Sequence, residues 1–307
     1  MQKLTIFYAK TREEITKLRD EFHVFTNDKG ISRELILFRV HEPNFTNLLS
    51  NIVKDNDVII DVGANIGYYT VLFCKRAYNG KIIAIEPNPL SFKLLQHNTK
   101  NFQNVKNYRM ALSDKTGLVS FEVLKNITNL SRLSINEKSR SSLTINKYVI
   151  QVPSTTLDNL ILMLYLDKVD LIRMDVEGAE LQILFKGMKT LKRFKPTIAL
   201  EVHPKELGLD KTILLIDTLA SMYNYAIICL RIFDYYPNLE GLYTLIQSKE
   251  LSKLIRRLYK GILGDTFSVI FLREKIVQDF MTKYKYSLHI NKYFIKKLLR
   301  CSSSIVN

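Results

Sequence analysis

The chain has 307 residues, 47% of them hydrophobic, and a formal net charge of +15. That length accommodates one large or two ordinary domains, and no window approaches the roughly 18 uncharged apolar residues of a membrane span. Cys74, Cys229 and Cys301 are few, far apart and odd in number, which supports neither a disulfide framework nor a cysteine zinc site. The opening Met1-Gln-Lys-Leu-Thr-Ile-Phe7 lacks the apolar centre of a signal peptide, so a cytoplasmic location is expected. The positive charge admits nucleic acid, anionic membrane or anionic substrates as partners, but Lys and Arg are spread along the chain, and a basic surface accounts for them.

Residues 1–54 read as an N-terminal accessory segment. Thr11-Arg-Glu-Glu14 has the form of a capping box opening a helix to about Phe25, and Asn27-Asp-Lys-Gly30 marks a turn. Ser32 to Val40 alternates weakly and reads as a strand, and Phe45 to Val53 as a helix.

The chain then organises itself around Asp57-Val-Ile-Ile-Asp-Val-Gly-Ala-Asn-Ile-Gly-Tyr-Tyr-Thr70. The apolar run ending at Val62 reads as a buried parallel strand, and Tyr68 to Ala77 as the helix packed on it. Between them a glycine turn brings backbone N–H groups and a helix N-terminus up to a ligand with negative charge. The spacing is Asp-x-Gly-x-Asn-x-Gly, neither a dinucleotide fingerprint nor a phosphate loop. Asp61 beside the turn repels a pyrophosphate but suits an ammonium group, so the ligand expected here carries both charges, as an amino-acid tail does.

Lys81-Ile-Ile-Ala-Ile-Glu86 is a second strand ending on a carboxylate, placed to accept hydrogen bonds from both hydroxyls of a ribose. A helix over residues 90–101 and a strand from Val105 to Met110 follow. In Ala111-Leu-Ser-Asp114 the backbone at Leu112 and the Asp114 carboxylate suit an adenine edge, and Asp114 equally suits capping the turn before Gly117. After a strand from Leu118 to Leu124, residues 126–147 lack periodicity and read as a mobile lid. Arg132 and Arg140 on it are candidate anchors for substrate hydroxyls or anionic groups, or simply solvated charges.

Tyr148 to Val152 and a helix opened by Ser154-Thr-Thr-Leu-Asp158 lead to the strand Val169–Asp175. Val176-Glu-Gly-Ala-Glu180 starts the next helix, so Asp175, Glu177 and Glu180 gather at one strand end, with Glu177 a candidate substrate contact. The next strand, Thr197 to Pro204, closes with Glu201 and His203, which alternation points to the same rim as Asp175. A histidine among carboxylates suits proton abstraction or a divalent metal; spacing does not choose between them, and no metal site is assigned. Alternating strands and helices predict an α/β fold, a doubly wound parallel sheet with helices on both faces and ligands beyond the carboxyl ends of its strands.

Taken together, Asp61-Val-Gly-Ala-Asn-Ile-Gly-Tyr-Tyr-Thr70, Ile85-Glu-Pro87, Ala111-Leu-Ser-Asp114, Thr155-Thr-Leu-Asp158, Asp175-Val-Glu-Gly-Ala-Glu180 and Glu201-Val-His203 resemble, in order, the FkbM-type S-adenosylmethionine-dependent methyltransferases. The resemblance covers about residues 50–205. It implies a seven-stranded Rossmann-like sheet whose last strand is antiparallel, within a methyltransferase domain over residues 55–274. It implies that Asp61, Gly63, Asn65 and Gly67 hold the methionine part of S-adenosylmethionine, Glu86 the ribose, and Asp114 the adenine side. It also implies O-methylation of a hydroxyl on a sugar, lipid or other small acceptor, with Asp175, Glu201 and His203 lining the transfer site. A weakly nucleophilic hydroxyl calls for a base, and the expected one is His203, with Glu201 as orienter or co-base and Asp175 positioning the acceptor.

Lys253-Leu-Ile-Arg-Arg-Leu-Tyr-Lys260 reads as a basic amphipathic helix, and residues 275–307 as a basic amphipathic tail, docked on its own domain or touching an anionic membrane. Two other readings stand beside the main one. RNA or protein methylation draws on the basic charge, but neither an Asn/Asp-Pro-Pro-Tyr/Phe motif nor an aromatic stacking platform is present. A non-catalytic, cofactor-binding adaptor would use the basic tail.

Overall fold

The computed structural model describes residues 2–7, 19–124, 131–133, 147–229, 243–259 and 266–283. The chain opens with an antiparallel pair, β1 (Gln2–Phe7) and β2 (Arg19–Val24). A helix reaching Phe25 is therefore corrected to a strand. Arg19-Asp-Glu-Phe-His-Val24 alternates, with Phe22 and Val24 buried together, and period two prevails over the upstream capping signal. That signal, at Thr11–Glu14, lies outside the described residues.

The strand expected over Ser32–Val40 is a helix, Ile31–Phe38. Ile31 and Leu35, one turn apart, are buried, and the Ser32 amide donates to the Asp28 carboxylate at 3.1 Å, which satisfies a donor of the first turn. The second expected helix forms as Pro43–Ile52, with proline in its first turn.

The central sheet is built from β3 (Val58–Val62), β4 (Lys81–Ile85) and β5 (Val105–Tyr108), parallel to one another. A smaller second sheet leaves from its end: β6 (Ala111–Leu112), β7 (Gly117–Leu124), β8 (Arg132–Leu133) and β9 (Lys147–Thr155). Part of the expected lid is thus strand. Arg132 and Leu133 pair with Glu122 and Phe121 of β7, a long-range pairing that local periodicity cannot signal. Residues 125–130 and 134–146, including Arg140, lie outside the described residues.

The central sheet is completed by β10 (Leu171–Met174), β11 (Thr197–Val202), β12 (Tyr225–Cys229), β13 (Tyr243–Gln247) and β14 (Phe267–Leu272). Among the described residues its order is β13-β12-β14-β11-β10-β3-β4-β5. The doubly wound α/β class is as expected, and β14 lies antiparallel to both neighbours, as the resemblance implied. Among the described residues the sheet has eight strands, one more than the seven expected. Tyr243-Thr-Leu-Ile-Gln247 pairs along the whole of β12 as an added antiparallel edge.

Alternation along the strands sends side chains into two cores. Ile60, Ile172 and Leu200 meet the helices Leu157–Met163, Glu180–Phe185, Leu209–Ala220 and Ser248–Leu258 on one face. Ile59, Leu171 and Ala199 meet Tyr68–Arg76, the two N-terminal helices and Glu274–Lys283 on the other. The N-terminal segment is therefore packed into the core of the sheet domain. The basic helix Ser248–Leu258 also docks on it, with Leu251, Leu254, Ile255 and Leu258 buried and Lys253, Arg256 and Arg257 facing out. Ile276 and Val277 bury the start of the tail, and residues 284–307 lie outside the described residues. Among the described residues no helix is long and apolar enough to cross a membrane.

Candidate active site

The turn after β3 is shaped by close approach. Gly63 has φ +75°, and a Cβ built there would sit 1.9 Å from the carbonyl oxygen of Asp175, so only glycine fits. The Gly63 and Ala64 amides both donate to the Ile85 carbonyl at 3.0 Å, tying the turn to the end of β4. Asn65 follows with φ +50°, and Gly67, at φ +93°, caps the helix Tyr68–Arg76. The Asn65 side-chain oxygen is buried without a hydrogen-bond partner.

Glu86 emerges just beyond β4. Its two carboxylate oxygens accept from the backbone amides of Asn65 at 2.8 Å and Asn88 at 2.7 Å. Burial pushes its pKa up to about 7 against the pull of those amides. Asn88 rather than Glu86 caps the helix that follows: its side chain accepts from the Leu90 amide. Gly63, Asn65, Glu86 and Leu112 line one pocket together with Phe121, Leu133, Asp175 and Glu177. Asp114 stands exposed in the turn beyond β6, apart from the pocket wall, and Gly67 lies behind it against Leu95.

Register brings a buried ion cluster onto the face covered by Tyr68–Arg76. Arg173 on β10 stands opposite Asp61 on β3, and Asp61 is fully buried. The Arg173 guanidinium reaches Asp175 at 2.9 Å and Asp61 at 3.4 Å, donates to the Gly63 carbonyl at 3.0 Å, and lies 4.6 Å from the centre of the Tyr69 ring. Thr70 donates to the other Asp61 oxygen at 2.6 Å. Asp61 thus anchors Arg173 beneath the turn, and its pKa is raised by burial despite Arg173.

At the ends of β10 and β11 the carboxylates converge on one imidazole. His203, 3% exposed, presents Nδ1 to Glu180 Oε1 at 2.9 Å. Its Nε2 faces Glu177 at 3.5 Å, Glu201 at 3.6 Å and Asp175 at 3.7 Å. Burial works against its charge, yet Glu177, Glu180 and Glu201 outweigh it and hold the His203 pKa well above 6.5. Burial, then Glu201, raises the Asp175 carboxyl well above its usual range, and burial also raises Glu177. Glu177 is held at φ +52°, a left-handed conformation costing about 1 kcal/mol in a residue with a side chain. The helix expected to begin at Val176 begins instead at Glu180, because Glu177 and Gly178 both turn left-handed to face the cluster.

Asp175 and Glu177 also line a second cavity, on the far side of Asn65, with Tyr68, Tyr69, Arg173 and Glu201. Ile31, Glu34 and His41 of the N-terminal segment form its wall, a role the sequence did not disclose. A wider groove runs from Glu177 past Leu133, Phe185 and Lys211. Arg132 lines it, paired with Glu206 at 2.5 Å and Glu122 at 3.9 Å. Arg173 and Glu180 were missing from the expected site. Arginine inside the apolar run of β10 was the available signal for the first; the second was placed at the strand end beside Asp175 and Glu177, without a role.

A model of the methyltransferase FkbM domain matches residues 61–225, just over half of the chain. The chain belongs to the FkbM methyltransferase family. Among the relatives of this FkbM protein, the hexuronic acid methyltransferase AglP of Haloferax volcanii is 29% identical over 163 residues, covering 53% of this chain and 62% of that one. The shared region is therefore less than two thirds of that relative's length. The 2-O-methyltransferase NoeI of Sinorhizobium fredii is 24% identical over 173 residues, 54% of this chain and 70% of that one. A solved methyltransferase FkbM from Methylobacillus flagellatus superposes with a TM-score of 0.37 at 17% identity, over 53% of this chain and 38% of the other.

The cofactor of the FkbM methyltransferase family is S-adenosylmethionine, and the residues present in this chain fit it. The glycine cradle at Gly63 leaves no room for a side chain, the buried Asn65 oxygen awaits a donor, and Glu86 offers a carboxylate in the pocket wall. Gly63, Asn65, Glu86 and Leu112 are the residues that would hold it.

Proposed function

We propose that this FkbM protein methylates a hydroxyl of a sugar, glycan or other small acceptor. The observation that carries the reading is the junction at Asp175 and Glu177. These two carboxylates line both the cofactor pocket and the second cavity, with Arg173, Glu201 and His203 around them. Bound S-adenosylmethionine supplies an electrophilic methyl carbon for direct displacement.

The chain's own residues then have three tasks. Gly63, Asn65 and Glu86 orient the cofactor, and the enclosing walls exclude water. Arg173 fixes the Asp175 carboxylate at 2.9 Å, and the His203 ring stands 3.7 Å from it on the other side. Asp175, its basicity raised by burial, accepts the proton leaving the acceptor hydroxyl, with Glu201 steering the hydroxyl into line. The groove past Phe185 and Lys211 carries the remainder of the acceptor, with Arg132 as its cationic contact. The names of the relatives AglP and NoeI support a sugar hydroxyl.

The test begins with calorimetric titration of S-adenosylmethionine and S-adenosylhomocysteine, with NAD as control, into wild-type and Glu86→Ala protein. Binding that Glu86→Ala weakens is the expected result. An acceptor screen by mass spectrometry, weighted to uronic acids and oligosaccharides, follows. A product methylated on nitrogen, or labelling of RNA or protein alone, would sink the hydroxyl reading.

A further inference from the structure

The arrangement of Asp175, Glu177, Glu180, Glu201 and His203 is that of a ligand set around an unfilled charge. The Glu180 carboxylate can only accept, so His203 Nδ1 carries the hydrogen between them, and Nε2 is left pointing at the acidic group. That nitrogen is buried and has no hydrogen-bond partner, although oxygens of Asp175, Glu177 and Glu201 lie 3.5–3.7 Å away. A neutral imidazole so oriented would aim its lone pair at negative charge. Around it stand Asp175, Glu177, Glu180 and Glu201, against Arg173, itself shared with Asp61.

We propose that Asp175, Glu177 and His203 Nε2 bind a divalent cation that accepts mixed oxygen and nitrogen donors, such as Mn²⁺. One donor atom from each of the three lies within 4.8 Å of the others. Neighbouring ligands on an octahedron of about 2.1 Å radius stand about 3 Å apart and opposite ones about 4.2 Å, so the 3.5–3.7 Å separations bracket a cation with small shifts. Glu180 on Nδ1 is the outer carboxylate that orients a ligating histidine. Carboxylate oxygens in the majority favour a hard cation over a thiophilic one. Asp175 and Glu177 open on the cofactor pocket and the second cavity, which gives the ion an entry path.

The inference rests on the methyltransferase reading of this site and gives the cation its use. A cation there would neutralise the excess acid and lower the pKa of an acceptor hydroxyl. It would also take the place of the proton on His203.

The full chain, stripped with chelator and dialysed, is titrated with Mn²⁺ and free ion is read by its electron paramagnetic resonance signal; S-adenosylhomocysteine binding is measured by calorimetry on the same preparations. The expected result is one Mn²⁺ per chain, with affinity about 10- to 100-fold lower in Glu180→Gln and lower still in Glu177→Gln and Asp175→Asn. Circular dichroism and cooperative thermal melts of the variants certify their fold. Wild-type protein that binds S-adenosylhomocysteine but no Mn²⁺ at millimolar concentration overturns the metal site and leaves the methyltransferase reading standing. Mn²⁺ binding without S-adenosylhomocysteine binding upholds the site and overturns that reading.

Discussion

Glu86 is a carboxyl whose folded pKa of about 7 lies above its ordinary 4.5, because burial outweighs the two amides it accepts. Its contribution to stability is fully present below about pH 4.5 and is lost as pH rises through about 7. The difference is on the order of 3 kcal/mol for a group this enclosed. Thermal melts of the ligand-free protein between pH 4.5 and 8 should therefore fall with pH more steeply in wild type than in Glu86→Gln, and equal slopes would contradict the account. The same variant should bind S-adenosylhomocysteine more weakly, since a ribose loses an anionic acceptor. Asp175 calls for a different experiment. Asp175→Asn keeps an acceptor for Arg173 but loses the base, so turnover on the true acceptor should drop about 10²- to 10⁴-fold with cofactor affinity unchanged.

At the scale of elements, the turn after β3 and the loop after β10 are one unit, because Gly63 rests on the Asp175 carbonyl. Gly63→Ala should cost about 3 kcal/mol or more and abolish S-adenosylhomocysteine binding, read by calorimetry and chemical denaturation. The opposite edge of the same strands is clamped by Asp170, which accepts from the Val58 amide at 2.9 Å and pairs with Arg273 at 2.6 Å and Lys168 at 2.9 Å. Burial resists ionisation of Asp170, but these partners outweigh it and lower its pKa. Its stabilisation is present above about pH 3.8 and lost as pH falls through the lower folded value. Asp170→Asn should cost about 2 kcal/mol at pH 7 while leaving cofactor affinity intact. What the sequence disclosed follows the same division. Asp175, Glu201 and His203 were legible because each ends an apolar strand. Arg173 and Asp61 became a pair only through the register of β10 on β3, and β8 only through its pairing with β7. The N-terminal segment misled because one helical turn of burial in Ile31–Phe38 was taken for alternation.

Across the whole molecule, the two cavities meet at a site walled by β3, β10, β11 and the N-terminal segment, so ligand occupancy should be felt globally. S-adenosylhomocysteine at a hundred times its dissociation constant should stabilise the chain by about 2.7 kcal/mol and raise the melting temperature several degrees, a shift absent with NAD. The reactive corner also opposes the charge of the body around it. The chain carries +15, and Lys211 lines the groove with Arg132, which is paired with Glu206, while the inner end at Glu177 and Asp175 is acidic as long as no cation is bound. For an acceptor bearing its own carboxylate, this gradient works like a compass: the long-range field draws the anion in, and the near field turns it round. The charged end comes to rest outward, beside the bases, and a neutral hydroxyl leads the way in.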